Sequence, residues 1–556
     1  MKKITYPTEV LDVTIDHIDE YGYGYARYTH APEKGSQGRR LNLFITNVVP
    51  GDVVRVSVPN AKGRGKATLG YDTLLQPGPT RNMDVPVDES VSGGTPLQYM
   101  QYDAQLQFKE NMVKQYLDAE GFDTSLVQPI IGMKQPERYR NKMELTFGVN
   151  GELGMTQQGN FRKVIDLKDS VLMPEIMVTV KHAVSAWQHK YELSGYNKET
   201  ETGLLRNLMM RYSFTTKELM VVFYATQSPE DFPEAIKELV EIMTTQFDSL
   251  VSLQWIEHAE AVERIQADAV HILHGRDYLV DVLNGFKYRI WPDTFFQANP
   301  VQAEKLVDLA LEMADVNDSM KMLDLFCGVG TFSLPFAAKS QSLAGIEIVE
   351  NSIISARRNA HDNGLENTYF MTSDARSGLP KLKEEWGQPD ILLLDPPRSG
   401  AGGKVMRSIG RFGTDKVIYV SCAPKSLAQD IKSLRDFGYE LVSVQPVDQF
   451  PHTAHVETVV LLSRIKGKKS IQVDIDLNED DLTTTERKAT YQQIQEYVEE
   501  KHNLKVSSLY ITQVKRKQGI IEAENYNKGT KGGKQPNVTT EKQKAIEDAL
   551  RYYQMI

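Results

Sequence analysis

A regular alternation of apolar strands and helices between residues 300 and 465 constrains the fold of this chain more than any other feature. Helical patterns separate short apolar strand patterns, which lie at Lys321–Phe326, Ser342–Ile348, Thr368–Thr372, Ile391–Leu394, Val417–Val420 and Val456–Leu462. Such alternation predicts a doubly wound, mostly parallel sheet with helices on both faces. Ligands of these sheets bind at the carboxyl ends of the strands, so the candidate site residues are expected there.

Further domains are predicted around this α/β domain, because 556 residues exceed one compact core. Residues 8–60 alternate apolar and polar positions between Gly-rich turns, which is typical of a small antiparallel, OB-like β-barrel. Residues 68–105 are rich in Pro, Gly and Asp and are interpreted as a linker or irregular lobe. The predicted parts are the barrel over 1–67, a central α+β domain over 68–295, the Rossmann-like domain over 296–465, and a linker with a helix-rich C-terminal extension over 466–556.

Charge and cysteine content exclude several classes of protein. A net charge of −10 means that binding to nucleic acid requires basic residues concentrated on one face. The two cysteines, Cys327 and Cys422, are too few for a disulfide framework or a multi-cysteine metal site, so no metal is expected. Because the sequence has neither an apolar run of about 18 residues nor a signal peptide at its start, we expect a cytoplasmic monomer without membrane contact.

A glycine turn after the first strand of the alternating region has the features of a cofactor loop. Gly328 and Gly330 follow the strand Leu323–Phe326, so the backbone there is able to turn sharply and approach a ligand. The next strand ends at Glu347, near the spacing of about 20 residues at which a carboxylate binds ribose hydroxyls. The third strand ends at Asp374, in position to meet an adenine amino group.

The same loop distinguishes between two cofactors. A dinucleotide site requires a third glycine to seat a pyrophosphate, and Ser333 occupies that position here. The loop therefore favours an adenosyl ligand without phosphates, S-adenosylmethionine, over NAD. A Gly-x-Gly turn alone is weak evidence, and the acidic strand ends give the interpretation its weight.

Two turns at the same predicted sheet edge carry groups suited to catalysis. Asp395-Pro396-Pro397-Arg398 follows the fourth strand, and its arginine stands where amino-methylating enzymes usually have an aromatic residue. Cys422 lies at a strand-to-helix turn, where the helix N-terminus is expected to activate a thiol whose free pKa is about 8.5. Cys327 is interpreted as a buried packing residue.

A cysteine nucleophile suits the methylation of uracil. Carbon 5 of uracil is too weakly nucleophilic to attack a sulfonium methyl group, whereas addition of a thiolate to carbon 6 creates an enolate that attacks from carbon 5. A base must then remove the carbon-5 proton so that the thiolate leaves. Three candidates for this base are close together in the sequence: His452, His455 and Glu457.

Four motifs together resemble the RNA uracil-5-methyltransferase family, within which the chain looks most like the bacterial 23S ribosomal RNA branch. They are FCGVGTF at 326–332, DPPR at 395–398, VSC at 420–422 and FPHTAHVE at 450–457. The resemblance covers roughly residues 8–465, and the set of four motifs is highly specific.

The resemblance implies S-adenosylmethionine as the cofactor and RNA, above all 23S ribosomal RNA, as the substrate. It implies Cys422 as the nucleophile, Glu457 as the proton-abstracting base and Asp395 between cofactor and target base. Cofactor contacts are implied for Gln297, Phe326 and Glu347. The N-terminal barrel resembles a TRAM domain, an RNA-binding module.

The chain departs from the family pattern in one place. Many members hold an iron–sulfur cluster through four cysteines in the central domain. The matching stretches here, Ser92–Gln98 and Asp169–Leu172, contain no cysteine, so we expect no cluster. The tail beyond residue 466 lies outside the usual extent of the family.

Several alternatives stay open. Transfer RNA offers the same base and the same chemistry as ribosomal RNA. An RNA methyltransferase that acts on an amine or on carbon 5 of cytosine is a second possibility. A non-catalytic RNA-binding assembly factor would be expected to lack Cys422 or Glu457, and both are present.

Basic residues in three strips are the candidate RNA contacts. The first strip lies beside the barrel and the second in the central domain, and the third is a pair. They are Lys62, Arg64 and Lys66; Arg138, Arg140 and Lys142; and Arg206 with Arg211. In the tail, Lys515-Arg516-Lys517 is the next candidate.

Overall fold

A computed structural model describes residues 8–29, 40–59, 66–85, 93–157, 160–259, 268–465, 491–502, 504, 506, 508–518, 538 and 540–553. The chain divides into two compact units, residues 1–470 and 471–556. The predicted division of the first unit into three domains stays a prediction.

Two small sheets form the N-terminal part. Their strands are β1 (Thr8–Thr14), β2 (His17–Ile18), β3 (Gly24–Thr29), β4 (Arg40–Ile45), β5 (Val53–Pro59), β6 (Lys66–Leu69) and β7 (Thr73–Gln76). One sheet has the order β1-β5-β7 and the other β2-β3-β4-β6, and alternate residues of both fill one core. Among the described residues from 8 to 60 these strands pair antiparallel, whereas β4 pairs in parallel with β6 beyond that range. Residues 68–76, predicted as part of a linker or irregular lobe, belong to these sheets.

The central part is built on a seven-stranded sheet of order β10-β9-β8-β11-β12-β13-β14, with a separate hairpin β15-β16. Its elements are α1 (Tyr102–Ala119), β8 (Lys142–Phe147), β9 (Leu153–Gln157), β10 (Asn160–Asp166), α2 (Glu175–Lys190), β11 (Leu205–Tyr212), β12 (Leu219–Ala225), α3 (Pro233–Gln246), β13 (Leu250–Glu257), β14 (Ala269–Gly275), β15 (Leu279–Leu283) and β16 (Phe286–Ile290). The helices α2 and α3 share a core with this sheet.

The predicted doubly wound domain is confirmed as an α/β fold. Its elements are α4 (Pro300–Ala314), β17 (Lys321–Leu325), α5 (Ser333–Ala337), β18 (Ser342–Glu347), α6 (Glu350–Asp362), β19 (Thr368–Thr372), α7 (Ala375–Glu385), β20 (Ile391–Leu394), α8 (Gly403–Phe412), β21 (Lys416–Ser421), α9 (Pro424–Lys432), β22 (Tyr439–Val447) and β23 (Glu457–Arg464). The order is β19-β18-β17-β20-β21-β23-β22. The first five strands are parallel, and β23 is antiparallel to both neighbours.

Packing crosses the boundary predicted at residue 295. The helix α1 buries Met112, Val113 and Leu117 in the same core as Leu394 and Tyr419 of the doubly wound sheet. This helix therefore packs with the Rossmann-like domain, although its sequence position suggested the central domain. The sequence analysis also missed β22, which forms the edge of the sheet next to β23.

The described residues of the second unit form three helices: α10 (Tyr491–His502), α11 (Ser508–Lys517) and α12 (Thr540–Tyr552). They share a small apolar core that includes Ile494, Ile511 and Ile546. In the basic cluster at 515–517, Lys515 is only 4% exposed, and Lys517 donates a hydrogen bond to Gln543. The side chain of Arg516 lies outside the described residues. No described helix is long and apolar enough to cross a membrane.

Candidate active site

The loop after β17 has the backbone of a close ligand approach. Phe326, Gly328 and Gly330 have φ angles of 68°, 52° and 91°, in the left-handed region that favours glycine. A Cβ on Gly330 would lie 2.8 Å from Leu334, so the loop also needs a glycine there for space. Phe326 adopts this conformation without being glycine, which is a strained backbone of the kind that clusters at functional sites.

The missing third glycine has a structural explanation. The hydroxyl of Ser333 donates a 2.5 Å hydrogen bond to Asp324, and both side chains are buried. Burial raises the pKa of Asp324 to about 7. Serine at this position therefore supports the carboxyl group of Asp324, which the sequence analysis did not single out.

A cavity of about 210 Å³ opens beside this loop at the carboxyl ends of the strands. Phe326, Glu347 and Asp374 line it, together with Pro397 from the Pro-Pro turn. Apolar side chains such as Ile346 and Val405 complete the wall, which suits a flat adenine ring next to carboxylates that accept hydrogen bonds. These residues fit the predicted adenosyl cofactor.

The predicted cofactor residues also make contacts within the protein. Gly328 donates a 3.4 Å hydrogen bond to the carboxylate of Glu347. The carboxylate of Asp374 caps α7 by accepting hydrogen bonds from the amides of Arg376 and Ser377, so part of its capacity is used within the helix. Gln297 is not among the cavity residues; its side-chain oxygen accepts a 3.4 Å hydrogen bond from Gln449.

The strand register places the predicted nucleophile and the predicted base side by side. Ser421, the last residue of β21, pairs with Thr458 of the antiparallel strand β23. The next residue in one direction is Cys422, and the preceding residue in the other is Glu457. Glu457 is 7% exposed and Cys422 is half-buried.

The expected activation of the thiol by the helix N-terminus is wrong for the free protein. Burial, together with the negative charges of Glu457 and Asp395, raises the pKa of Cys422 to about 12, although Arg398 opposes the rise. Burial likewise raises the pKa of Glu457 well above its ordinary value, with Asp395 adding to the effect and Arg398 again opposing it. Burial and the charge of Asp324 raise the pKa of Asp395 to about 7.

Arg398 therefore faces the reactive groups, a role that the sequence analysis missed. Its position in the DPPR motif was used only as an argument against amine methylation. The hydroxyl of Ser426 in α9 donates a 2.9 Å hydrogen bond to the carbonyl of Arg398. The loop that carries the arginine is thus tied to the helix that follows Cys422.

A buried carboxylate strengthens this connection. Asp430 of α9 is 5% exposed and accepts hydrogen bonds from the amides of Ala401 and Gly402 and from the hydroxyl of Tyr419. Gly400 in the same loop has a φ of 80°, and a Cβ there would lie 2.6 Å from the Asp430 carboxylate. The loop therefore packs closely on the helix.

The two histidines near Glu457 have different surroundings. His452 is buried; its backbone amide donates to Gln105, whose side-chain nitrogen lies 3.3 Å from Nδ1 of the ring. Desolvation lowers the pKa of His452 to about 4, so the ring is neutral at pH 7. Desolvation and the charge of Arg398 lower the pKa of His455 to about 4 as well. Because its ring contacts α1, His452 is better explained as a packing residue than as the base.

The structure agrees with the interpretation of Cys327 as a buried packing residue. Cys327 is 6% exposed, and burial raises its pKa well above the ordinary value, so it stays a thiol. Among the described residues, no group of three or more His, Cys, Asp or Glu side chains could hold a metal ion. In the stretch Asp169–Leu172, which contains no cysteine, the hydroxyl of Ser170 accepts hydrogen bonds from the amides of Leu172 and Met173.

The structure corrects one of the predicted basic strips. Arg206 and Arg211 are 8% and 3% exposed, and they donate to the carbonyls of His258 and Thr294. Their prediction as RNA contacts is wrong, because both guanidinium groups are used inside the protein. In the first strip, Lys66 is exposed, and Lys62 and Arg64 lie outside the described residues. In the second strip, Arg138 pairs with Asp169, and Arg140 and Lys142 are half-buried.

Comparisons with known proteins identify the family. The sequence model of the family described as tRNA (uracil-5-)-methyltransferase matches residues 101–465. An uncharacterized RNA methyltransferase of Clostridium tetani is 32% identical over 434 residues, which cover 77% of this chain and 93% of that protein. A second one, from Halalkalibacterium halodurans, is 33% identical over 458 residues, which cover 82% of this chain and 97% of that protein.

A solved structure shares the fold. It is the tRNA (uracil-54, C5)-methyltransferase of Pyrococcus abyssi in complex with S-adenosyl-L-homocysteine, with 23% identity, a TM-score of 0.62, and coverage of 81% of this chain and 100% of that one. The match over residues 101–465 spans both the cofactor loop and the Cys422–Glu457 pair. The chain therefore belongs to the tRNA (uracil-5-)-methyltransferase family and is an S-adenosylmethionine-dependent RNA methyltransferase.

Proposed function

We propose that this protein methylates carbon 5 of a uridine in structured RNA through a covalent adduct between Cys422 and carbon 6. The observation that carries the proposal is the register of β21 and β23, which brings Cys422 beside the buried carboxyl group of Glu457. This reaction needs a nucleophile and a base next to each other, because carbon 6 of the uridine is attacked and the adjacent carbon 5 is later deprotonated.

The steps follow from these two side chains. The thiolate of Cys422 adds to carbon 6, and the electron pair of the carbon 5–carbon 6 double bond moves to form an enolate. S-adenosylmethionine, when bound, would supply the methyl group that carbon 5 takes, and would be left as S-adenosylhomocysteine. Glu457 then removes the carbon-5 proton, the double bond re-forms, and the thiolate leaves carbon 6 to regenerate Cys422.

Proton movement within the site needs a group that titrates near neutral pH. Cys422 holds its proton in the free protein, because its pKa is raised to about 12 by burial. Asp395 has a pKa raised to about 7 and lies close enough for its charge to act on the thiol, so it is the candidate acceptor of that proton. Arg398 stabilises both the thiolate and the ionised form of Glu457, and this electrostatic effect favours each step.

The cofactor-binding residues of the proposal are Phe326, Gly328, Gly330, Glu347 and Asp374, with Asp395 at the border to the target base. Glu347 and Asp374 would accept hydrogen bonds from ribose and adenine, and Phe326 would contact the ring. Gln297 is proposed to contact the methyl-donor end, since its side chain lies next to Gln449, in the segment that leads to Glu457.

The proposed substrate is 23S ribosomal RNA, with transfer RNA as the second candidate. The tRNA reading is supported by the description of the family and by the tRNA methyltransferase that shares the fold. The test is to incubate the purified protein with labelled S-adenosylmethionine and, separately, with 23S ribosomal RNA and bulk tRNA that lack the modification. Label in 5-methyluridine of one RNA identifies the substrate class. Label in neither RNA, or in a different base, would contradict the proposal.

A further inference from the structure

The helix α1 inserts a lysine into the segment that leads to Glu457. The Nζ atom of Lys109 lies 2.5 Å from the carboxylate of Asp448, and both side chains are 0% exposed. The same Nζ donates a 2.9 Å hydrogen bond to the carbonyl of Phe450. A lysine with no exposed surface is costly unless it is paired and hydrogen-bonded, so this contact is a specific feature of the fold.

Other side chains of α1 contact the same segment, residues 448–456, which we call the base loop. The hydroxyl of Tyr102 donates to the second oxygen of Asp448 at 2.9 Å. Gln105 accepts a 2.9 Å hydrogen bond from the amide of His452. Tyr102, Gln105 and Lys109 are spaced along one face of the helix, which explains why all three reach one loop.

The opposite side of the base loop is held by neutral groups. Gln302 and Asn299 donate to the carbonyls of Asp448 and Gln449, at 2.9 Å and 3.0 Å. Ala454 packs into the core of the two N-terminal sheets. The base loop thus connects three parts of the first unit, and its last residue precedes Glu457 directly.

We propose that Lys109 is a positioning residue for the methylation reaction: with Asp448 it orients the base loop so that Glu457 faces the carbon-5 proton of the adduct. This inference rests on the proposed role of Glu457 as the base. A stabilising role alone explains the pair less well, because replacing a buried ion pair by neutral groups often leaves stability unchanged or improves it.

The first experiment compares the two halves of the reaction in Lys109→Met. Trapping of 5-fluorouridine-substituted RNA reports the attack of Cys422, whereas the decay of the methylated adduct on ordinary RNA reports the removal of the proton. We expect near-normal trapping and unchanged affinity for S-adenosylhomocysteine. The adduct on ordinary RNA should decay roughly 10- to 100-fold more slowly, the range expected from a displacement of about 1 Å at a reacting group.

Two further variants control for folding. Lys109→Met combined with Asp448→Asn removes both charges, so no buried charge is left unpaired, and it should show the same slow decay. Lys181→Met is the matched control, because Lys181 is a buried lysine paired with Asp166 at 2.8 Å in the central part. It should alter stability while the adduct decays at the normal rate.

A double-variant cycle separates this inference from the proposed function. If Lys109 acts through Glu457, Lys109→Met should add little to the slow decay of Glu457→Gln, because the two changes affect one step. Three outcomes would each overturn the positioning role. In the first, the slowing of adduct decay in the double variant equals the product of the two single effects. In the second and third, Lys109→Met slows trapping as much as decay, or folded Lys109→Met decays at the normal rate. Failure of the unaltered enzyme to form any adduct with 5-fluorouridine RNA would instead overturn the proposed function.

Discussion

Cys422 and Glu457 lie side by side because the antiparallel register pairs Ser421 with Thr458, one residue before the cysteine and one after the glutamate. The charge of Glu457 raises the pKa of the Cys422 thiol, so the thiol ionises less readily when the carboxyl group is charged. The pair is suited to a reaction in which the thiol loses its proton first and the carboxylate accepts a different proton later.

The nucleophile is tested by covalent trapping. Incubation with S-adenosylmethionine and 5-fluorouridine-substituted RNA should give a stable complex, because fluorine does not leave carbon 5 as a proton does. We expect Cys422→Ala to abolish the complex on a denaturing gel. Cys327→Ala is the control and should trap normally, because that side chain is buried in packing. Equal trapping by Cys422→Ala would assign the nucleophile elsewhere.

The base is tested by the fate of the adduct on ordinary RNA. In Glu457→Gln, methyl transfer should still take place, but the methylated RNA should stay attached to the protein because no carboxylate removes the carbon-5 proton. Label from the methyl group should therefore migrate with the protein. His455→Ala provides the comparison and should release product. Release at the normal rate by Glu457→Gln would move the role to His455 or to water.

The pH dependence of trapping should follow Asp395, and the height of the profile should depend on Arg398. Because Asp395, with a pKa of about 7, is the proposed acceptor of the thiol proton, the trapping rate should rise as Asp395 ionises between about pH 6 and 8 and then stay level, since the Cys422 pKa of about 12 lies above this range. Arg398 lowers the pKa of Cys422; in Arg398→Met that pKa rises, and the rate should fall about tenfold for each unit of the rise. The rate should therefore fall at every pH in this range. Equal rates in Arg398→Met and the unaltered protein would show that the guanidinium does not act on the thiol.

Asp430 should be important for the stability of the fold. Asp430→Ala leaves two backbone amides and the Tyr419 hydroxyl without their acceptor, which should cost about 3 kcal/mol of unfolding free energy. Urea unfolding of the variant measures this loss. The control is Asp436→Ala, which removes an exposed carboxylate shortly after α9 and should have little effect on the free energy of unfolding. Equal stability of both variants would contradict the assigned role.

The basic strip of Lys62, Arg64 and Lys66 is tested by the salt dependence of RNA binding. For Lys62→Ala, Arg64→Ala and Lys66→Ala combined, each lost phosphate contact should reduce the slope of log affinity against log salt by roughly 0.7 to 0.9. Arg206→Met is the comparison; its buried guanidinium should leave the slope unchanged. If the combined variant keeps the slope of the unaltered protein, the N-terminal sheets are not the RNA-binding surface.

Local patterns made the fold class and the motif residues predictable. The strands β17, β18, β20 and β21 are apolar runs between helical patterns, and most of their residues are buried, whereas the edge strand β19 buries only Phe370 and Met371. The parallel pairing β4–β6 and the packing of α1 on the Rossmann-like domain were not predictable. Both depend on contacts between segments that are distant in the sequence.

The sequence by itself indicated most of the residues proposed to carry the chemistry: the glycine loop, the DPPR turn and Cys422 have distinctive local patterns, whereas Glu457 was chosen over His452 and His455 only through the family resemblance. The tertiary structure alone decided how these groups act on one another. Burial, which no local pattern reports, reversed the expected direction of the Cys422 pKa and enclosed Arg206 and Arg211. Strand register and helix packing brought Arg398 and Lys109 to the site, since distances across a fold are determined by the packing of the whole chain.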